Sequence, residues 1–364
     1  MRTVKVNLDK KISCSYEIRI GRDILDRIIL LIAKDHKASR YVVITDDRVG
    51  GLYGKKFLGA LKDIGLKASI IEFPAGEAAK NIKTVLDISA QLMETGADRE
   101  TCLIALGGGV VGDMVGFTAS IFMRSVPYIQ IPTTLVAQVD SSIGGKTGVD
   151  LAFGKNLLGT FYQPRAVFAN LSFLETLPEK EFNNGLAEII KYAVIDDEKM
   201  FRQLEENMNV LKEREPKLLL NIVENCCQIK KSVVEIDEKE HGLRRILNFG
   251  HTLGHALEAL SRFTVTHGEG VAMGMVAAAR ISEKTGYLKN SDTRRIETLI
   301  RKAGLPVKIP KSLDGEKIIA RLKMDKKRKG DIIHFVLLKK IGMPFINGHI
   351  EHKLIADVIE EMKK

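Results

Sequence analysis

The sequence predicts a two-domain chain of mixed class, an α/β half followed by a mainly α-helical half. Three observations carry that prediction. The chain has 364 residues, more than one hydrophobic core usually serves at roughly 150 residues per domain. Its first half alternates short apolar runs with runs of helical period, the pattern of a parallel sheet covered by helices. From about Gly185 onward the apolar residues recur with a period near 3.6 almost throughout, which predicts helices packed on helices.

In the first half, RYVVITDD (40–47) reads as a buried strand ending in acids and KASIIEF (67–73) as a second. TCLIALGGG (101–109) is a third, with Cys102 in its core, and YIQIPTT (128–134) a fourth. NIKTVLDISAQLMETG, between the second and third, is helical. In the second half GLAEIIKYAVI, KLLLNIVENCCQIKKSVVEI, NFGHTLGHALEAL, GEGVAMGMVAAARISEKTG and SDTRRIETLIRKAG all keep the helical period. DIIHFVLLKKIG (331–342) reads instead as a short hairpin or strand. With no repeat, low-complexity tract or Ser-rich linker, the domain boundary rests on the change of period and is drawn at 1–175 and 176–364.

Composition excludes several classes. Hydrophobic residues make up 45% and charged residues 28%, so a packed core is available and disorder is not indicated. The net charge of +10 is spread along the chain, and with 6% aromatic residues and no Trp there is no stacking platform for nucleic acid. Local Lys and Arg clusters suit an anionic small molecule equally well. The cysteines Cys14, Cys102, Cys226 and Cys227 form no C-x-x-C, and the N-terminal MRTVKVNLDKK lacks an apolar signal core. The expectation is a soluble cytoplasmic protein without a membrane span.

Gly107-Gly108-Gly109-Val110-Val111-Gly112 satisfies G-x-G-x-x-G between an apolar strand and a helical run. In that setting backbone N–H groups can approach a pyrophosphate at a helix N-terminus. The same glycines would equally build a tight turn with no ligand. Two departures from the usual dinucleotide fingerprint stand out: the turn is in mid-chain, and no strand-end acid follows about 20 residues on. The acids that could hold a ribose are Asp46 and Asp47, so the reading is a dinucleotide site on a variant sheet topology. Asp113 can equally serve the helix dipole. Gly145-Lys146-Thr147 mimics a P-loop, but Asp140 stands where the first P-loop glycine belongs, which argues against an NTPase. Lys146 and Lys155 fit anion-binding loops or plain solvated lysines.

His251 and His255, four apart, share one helix face if that segment is helical, and His267 opens the next helical run. Two metal ligands, or one ligand and one base, are both reachable. Thr252 replaces the Glu of H-E-x-x-H, so zincin-type peptide hydrolysis is not indicated. Ordinary capping or surface histidines are the plainer alternative. A carboxylate would complete a catalytic site with two histidines. Glu188, on an apolar helix where a charge needs a partner, is one candidate, and Glu258 and Glu269 are rivals.

Taken in order, these motifs resemble the 3-dehydroquinate synthase family from about Asp46 to Lys327. The matching pieces are Gly76-Glu77 with Lys80, GGGVVGDMVGFTAS, FMRSVPYIQIPTTLVAQVDSSIGGKTGVD, GKNLLGTFYQP, FLETLP, GLAEIIKY, LNFGHTLGHALE, HGEGVAMGM and Met324-Asp325-Lys326-Lys327. The resemblance implies a nucleotide-binding α/β domain, a helical metal-binding domain and an active site in the cleft between them. It implies Glu188, His251 and His267 as ligands of zinc, with cobalt as the alternative. NAD would contact Asp46, Glu77, Lys80, Gly107, Gly108, Gly109, Asp113, Thr133, Thr134, Asp140, Lys146 and Lys155, with Phe173, Thr176 and Leu177 at its far end. Lys146, Asn156, Lys191, Lys230, Arg244, Asn248, His255 and one of Lys326 or Lys327 would hold or act on a seven-carbon sugar acid phosphate. Arg124 would reach the neighbouring active site of a homodimer.

The implied reaction oxidises one hydroxyl with NAD, eliminates phosphate next to the new ketone, returns the hydride and closes a carbocycle by an aldol step. His255 is the candidate for proton traffic because imidazole titrates near neutral pH. Three rivals share features: an NAD-dependent polyol dehydrogenase that releases NADH, a cyclase of another heptulose phosphate, and a non-catalytic metal-dependent scaffold.

Overall fold

A computed structural model describes residues 1–6, 15–151, 153–262, 264–324 and 333–363. Two compact units emerge, Met1–Pro178 with Val223–Glu238, and Glu179–Ile222 with Lys239–Lys364. The first unit's opening stretch ends at Pro178, beside the boundary drawn from the sequence at 175/176, and the unit also includes Val223–Glu238, a stretch that helical period alone does not assign.

The strands of the first unit are β1 (Arg2–Val6), β2 (Tyr16–Gly21), β3 (Tyr41–Asp46), β4 (Ala68–Phe73), β5 (Cys102–Gly107), β6 (Tyr128–Pro132), β7 (Lys146–Leu151), β8 (Gly154–Phe161) and β9 (Ala166–Asn170). Seven of them form one sheet in the order β1-β2-β9-β6-β5-β3-β4. All neighbours run parallel except the edge pair β1 and β2. The helices of this unit are α1 (Leu25–Asp35), the short α2 (Asp47–Val49), α3 (Lys55–Asp63), α4 (Ile82–Glu94) and α5 (Gly109–Ile121).

Alternate residues of the central strands enter two cores, as the period of two in a strand requires. Val42, Ile44, Leu103 and Ala105 pack with Val85, Ile88 and Leu92 of α4 and Val111, Met114 and Val115 of α5. Tyr41, Val43, Ile104, Ile129 and Ile131 pack with Ile28 and Ile32 of α1 and Phe57 and Leu61 of α3. A sheet covered on both faces leaves its strand ends as the open edges.

The order β4-β3-β5-β6-β9 locates one of those edges. From β3 the chain steps outward to β4, then returns to the other side of β3 for β5 and continues that way through β6 to β9. The direction reverses between β3 and β5. In such sheets the crevice beyond the carboxyl ends at the reversal is where ligands bind. Asp46 ends β3 and Gly107 ends β5. β7 and β8 form a separate antiparallel hairpin.

The second unit contains α6 (Glu179–Ile195), α7 (Glu198–Lys212), the start of α8 (Pro216–Ile236), α9 (His251–Leu260), α10 (His267–Lys284), α11 (Asn290–Lys302), α12 (Gly315–Met324) and α13 (His352–Lys363). A hairpin of β10 (Phe335–Lys340) and β11 (Met343–Asn347) joins them. It is tied to α10 where the Leu338 N–H donates to Ser282 Oγ at 3.0 Å.

Candidate active site

The second unit gathers the histidines by bringing α9 and α10 unusually close. Gly250 and Gly254 on one side meet Gly274 and Gly270 on the other. A Cβ on Gly274 would lie 1.8 Å from the Gly250 carbonyl oxygen, and one on Gly254 would lie 2.8 Å from the Gly270 carbonyl carbon. Gly250 also adopts φ +80°, a left-handed turn that sets His251 at the start of α9. His267 opens α10 in a capping box, with the Thr266 N–H donating to Glu269 at 2.7 Å. Glu269 is thereby engaged in the cap.

Both imidazoles converge on one fully buried carboxylate of α6. His267 Nε2 lies 3.1 Å and His251 Nε2 3.4 Å from Glu188 Oε1. Ligand bonds of about 2.0 to 2.1 Å in a tetrahedral zinc site put neighbouring donor atoms roughly 3.3 Å apart, so these separations suit one cation among the three. The far ring nitrogens are engaged too: His251 Nδ1 is 3.2 Å from the Phe249 carbonyl oxygen and His267 Nδ1 3.1 Å from Glu258 Oε1. Those acceptors suit protonated Nδ1, so each Nε2, which faces Glu188, is the nitrogen that would bind a cation in place of a proton. The residues fit a divalent metal. Glu258 serves the outer face of His267, and Glu188 faces the inner one.

Electrostatics agree with that division. Burial alone would raise the Glu188 pKa, but the Lys191 ammonium, His251 and hydrogen bonds from both histidines hold it well below the usual carboxylate range. Lys191, one turn further along α6 and 1% exposed, is ion-paired to the second Glu188 oxygen. Burial lowers His267, yet its hydrogen bonds to Glu188 and Glu258 and their charges push it up to about 10. His255 is exposed, its ring 5.3 Å from that of His251 and 6.2 Å from that of His267. Arg244 is 1% exposed, and Asn248 Nδ2 donates to Glu240 at 2.7 Å.

In the first unit, the glycine turn stands at the strand-order reversal. Gly107 ends β5, Gly108 is extended, and α5 begins at Gly109. A Cβ on Gly107 would lie 2.4 Å from the Val111 side chain and one on Gly112 2.6 Å from Gln130 Oε1, so the turn and the helix start are close-packed as well as free of side chains. The Thr133 N–H donates to the Gly107 carbonyl at 2.9 Å, placing Thr133 and Thr134 beside the turn. Asp46 accepts from the Val49 N–H at 2.9 Å and caps α2. Asp113 lies beyond the first turn of α5 and pairs with a lysine, so the helix-dipole alternative does not describe it.

Charged side chains around the turn are cross-paired. Lys80 Nζ, 5% exposed, donates to Asp113 Oδ2 and Asn156 Oδ1, both at 2.6 Å. Although burial acts the other way, the Asp113 and Glu77 carboxylates raise its pKa. Lys155 meets Glu77 at 3.1 Å, and Lys230 meets Asp140 Oδ1 at 2.9 Å and its carbonyl at 2.7 Å. Lys230 belongs to α8, within the Val223–Glu238 stretch that packs with the first unit, where Cys227 Sγ also meets the Gln138 carbonyl at 3.4 Å. Lys146 and Lys155 were expected on loops and instead lie on β7 and β8. Gly144 (φ +91°) and Gly145 (φ +65°) lead into strand rather than helix, unlike a P-loop.

Phe173 is buried edge-on to Tyr53 at 4.7 Å, Tyr53 OH and Thr176 Oγ1 are hydrogen-bonded, and the Leu177 N–H donates to Leu174 at 3.3 Å. Arg124 is exposed within Met123–Ser125, three consecutive non-glycine residues at positive φ of 48°, 70° and 106°. Lys326 and Lys327 lie outside the described residues. Among the described residues, no helix is long and apolar enough to cross a membrane.

The sequence matches the family descriptions "3-dehydroquinate synthase N-terminal" over residues 70–184 and "3-dehydroquinate synthase C-terminal" over 185–328. A 3-dehydroquinate synthase of Dehalococcoides mccartyi is 44% identical over 363 residues, covering 100% of both chains. The chain belongs to the 3-dehydroquinate synthase family. Among solved structures similar to this family member is the 2-epi-5-epi-valiolone synthase of Streptomyces hygroscopicus with NAD+ and Zn2+ bound. It is 28% identical with a TM-score of 0.89, over 98% of each chain. A 2-deoxy-scyllo-inosose synthase complexed with carbaglucose-6-phosphate, NAD+ and Co2+ is also 28% identical, with a TM-score of 0.90 over 99% of this chain and 100% of the other.

Proposed function

We propose that the chain converts 3-deoxy-D-arabino-heptulosonate 7-phosphate to 3-dehydroquinate and phosphate, the second step of the shikimate pathway to aromatic amino acids. As a phosphate-eliminating cyclase it is a carbon–oxygen lyase. The observation that carries the reading is the convergence of His251 and His267 Nε2 on the buried Glu188 carboxylate within a chain of this family. When bound, a divalent cation, zinc or cobalt, would supply polarisation of adjacent hydroxyls and NAD would supply reversible hydride transfer.

The chain's own residues supply the rest. Glu188, His251 and His267 hold the cation, while Glu258 and the Phe249 carbonyl fix the two imidazoles. The glycine turn at Gly107 to Gly109 gives a pyrophosphate access to the N-terminus of α5, flanked by Thr133, Thr134 and Asp46. Glu77, Lys80, Asp113, Asp140, Lys146 and Lys155 line the dinucleotide, with Phe173, Thr176 and Leu177 at its far end. Lys146, Lys191, Lys230 and Arg244 offset the carboxylate and phosphate charges of the substrate, and Asn156 and Asn248 hydrogen-bond it. His255, exposed beside the other two rings, moves protons.

Arg124 completes the site of a neighbouring copy in a cytoplasmic homodimer. Exposed Leu151, Phe153, Leu157, Leu158 and Phe161 on the β7–β8 hairpin supply apolar surface for such contact. The test is a substrate panel with the purified chain, NAD and Zn2+. Carbocycle formation from the heptulosonate phosphate, and not from glucose 6-phosphate or sedoheptulose 7-phosphate, is expected. The reverse preference would overturn the reading in favour of another sugar phosphate cyclase.

A further inference from the structure

Asn184 lies one helical turn before Glu188 on α6 and is 6% exposed. Its Oδ1 accepts from Thr266 Oγ1 at 2.6 Å and from the Gly268 N–H at 3.1 Å. One oxygen therefore grips the residues immediately before and after His267. Its Nδ2 donates to Glu181 Oε2 at 3.1 Å, which fixes which face of the amide presents the acceptor. Gly268 is required for this approach, because a Cβ there would lie 2.5 Å from the Asn184 Cα.

Residues four apart stack on one helix face, so α6 carries both a carboxylate aimed at His267 and the clamp on the chain that bears His267. The separation of Glu188 Oε1 and His267 Nε2, 3.1 Å, is thus set through a single rigid turn. Glu258 orients the ring from its far side, and Asn184 positions the backbone.

We infer that Asn184 is a positioning residue for the metal centre, fixing His267 against Glu188 and thereby setting cation affinity and coordination geometry. The inference rests on reading Glu188, His251 and His267 as ligands. Partners that hold a ligand in place are commonly worth about 10- to 100-fold in metal affinity. Asn184 touches none of the donor atoms, so its effect should fall on metal binding before turnover at saturating metal.

The test is Co2+ binding to the full chain, followed by the visible absorption of bound cobalt and by competition with a chelator. Asn184→Ala is expected to weaken Co2+ affinity about 10- to 100-fold and to shift the cobalt bands, with kcat largely recovered at saturating cobalt. Asn184→Asp keeps the acceptor but sets a second carboxylate against Glu181. It should lose affinity too, and Asn184→Asp with Glu181→Gln should regain it, because the glutamine amide then donates to the aspartate. This pair decides the question even where Asn184→Ala does not fold. Asn183→Ala, next to it on α6, should match the parent protein. Unchanged cobalt affinity and bands in Asn184→Ala, or a loss in Asn184→Asp that Glu181→Gln does not relieve, would overturn the inference. If His251→Ala and His267→Ala also leave cobalt affinity unchanged, the ligand reading itself falls. If they abolish binding while the Asn184 variants do not alter it, only the positioning role falls.

Discussion

The two candidate sites are built on opposite plans. At the strand ends of the first unit, charges pair across loops and strands with one partner partly in water: the side chains of Asp113, Glu77 and Asp140 are 19%, 35% and 23% exposed. In the second unit Glu188 is 0% exposed and its partners come from three helices locked by glycine contacts. A carboxylate with no water must have its counter-charges in place beforehand. The candidate metal site is therefore part of the fold, whereas the strand-edge site is a set of local pairs a ligand could rearrange.

That contrast breaks most visibly at Glu188. Glu188→Ala leaves the Lys191 ammonium buried without its carboxylate and should cost about 3 to 5 kcal/mol, together with loss of metal. Thermal unfolding and metal content measure both. A fall in metal content with an unchanged Tm would show that the site is separable from the fold.

Next in size is the response to pH. Zinc or cobalt must displace the proton that His267 holds up to about 10, so apparent metal affinity should rise about tenfold per pH unit between pH 6.5 and 9. The sign follows from the raised pKa. In the metal-free protein the protonated His267 stabilises the fold fully below about pH 6.5 and that contribution fades as pH climbs toward 10. The metal-induced rise in Tm should therefore be larger at pH 9 than at pH 6.5, and a rise independent of pH would contradict the proton-bridged site.

Packing sharpens the comparison further. Gly274→Ala drives a Cβ into the Gly250 carbonyl and should destabilise by about 3 kcal/mol. Gly51→Ala, with nothing within 4 Å of the new Cβ, should stay within about 1 kcal/mol of the parent. Denaturant midpoints separate the two.

Smallest should be the effects at the strand edge. Lys80→Ala is expected to lower NAD affinity about tenfold, the scale of one charge-assisted hydrogen bond, with a fall in Tm smaller than that of Glu188→Ala because Asp113 keeps some access to water. A collapse in stability equal to that of Glu188→Ala would erase the distinction between the sites.

Much of this was legible in the sequence. The strands ending at Asp46 and Gly107 carry continuous apolar runs, those ending at Phe73 and Pro132 are mostly apolar with Glu72 and Gln130 inside, and the helices holding Glu188, His251 and His267 keep a clear 3.6 period. Less legible was anything decided by partners distant in sequence. Lys230 sits on an unbroken helical pattern that gives no sign of Asp140, 90 residues away. Lys146 and Lys155 belong to a hairpin whose glycines and lysines read as loop. By spacing alone Glu188 and Glu258 were indistinguishable as ligands because both are helical acids, and only the family resemblance favoured Glu188; in the structure the ring nitrogen each one faces separates them. One readable signal went unused. Glycines four apart at 250 and 254, and again at 270 and 274, predict two helices in backbone contact.

The central claim, a cation-dependent cyclase that recycles its NAD, is tested most directly by following phosphate release and NADH together during turnover of the heptulosonate phosphate. The account predicts one phosphate per substrate consumed, no accumulated NADH, and loss of both phosphate release and carbocycle on chelation or in His251→Ala. NADH accumulating in step with substrate, or phosphate release that survives chelation and His251→Ala alike, would contradict it.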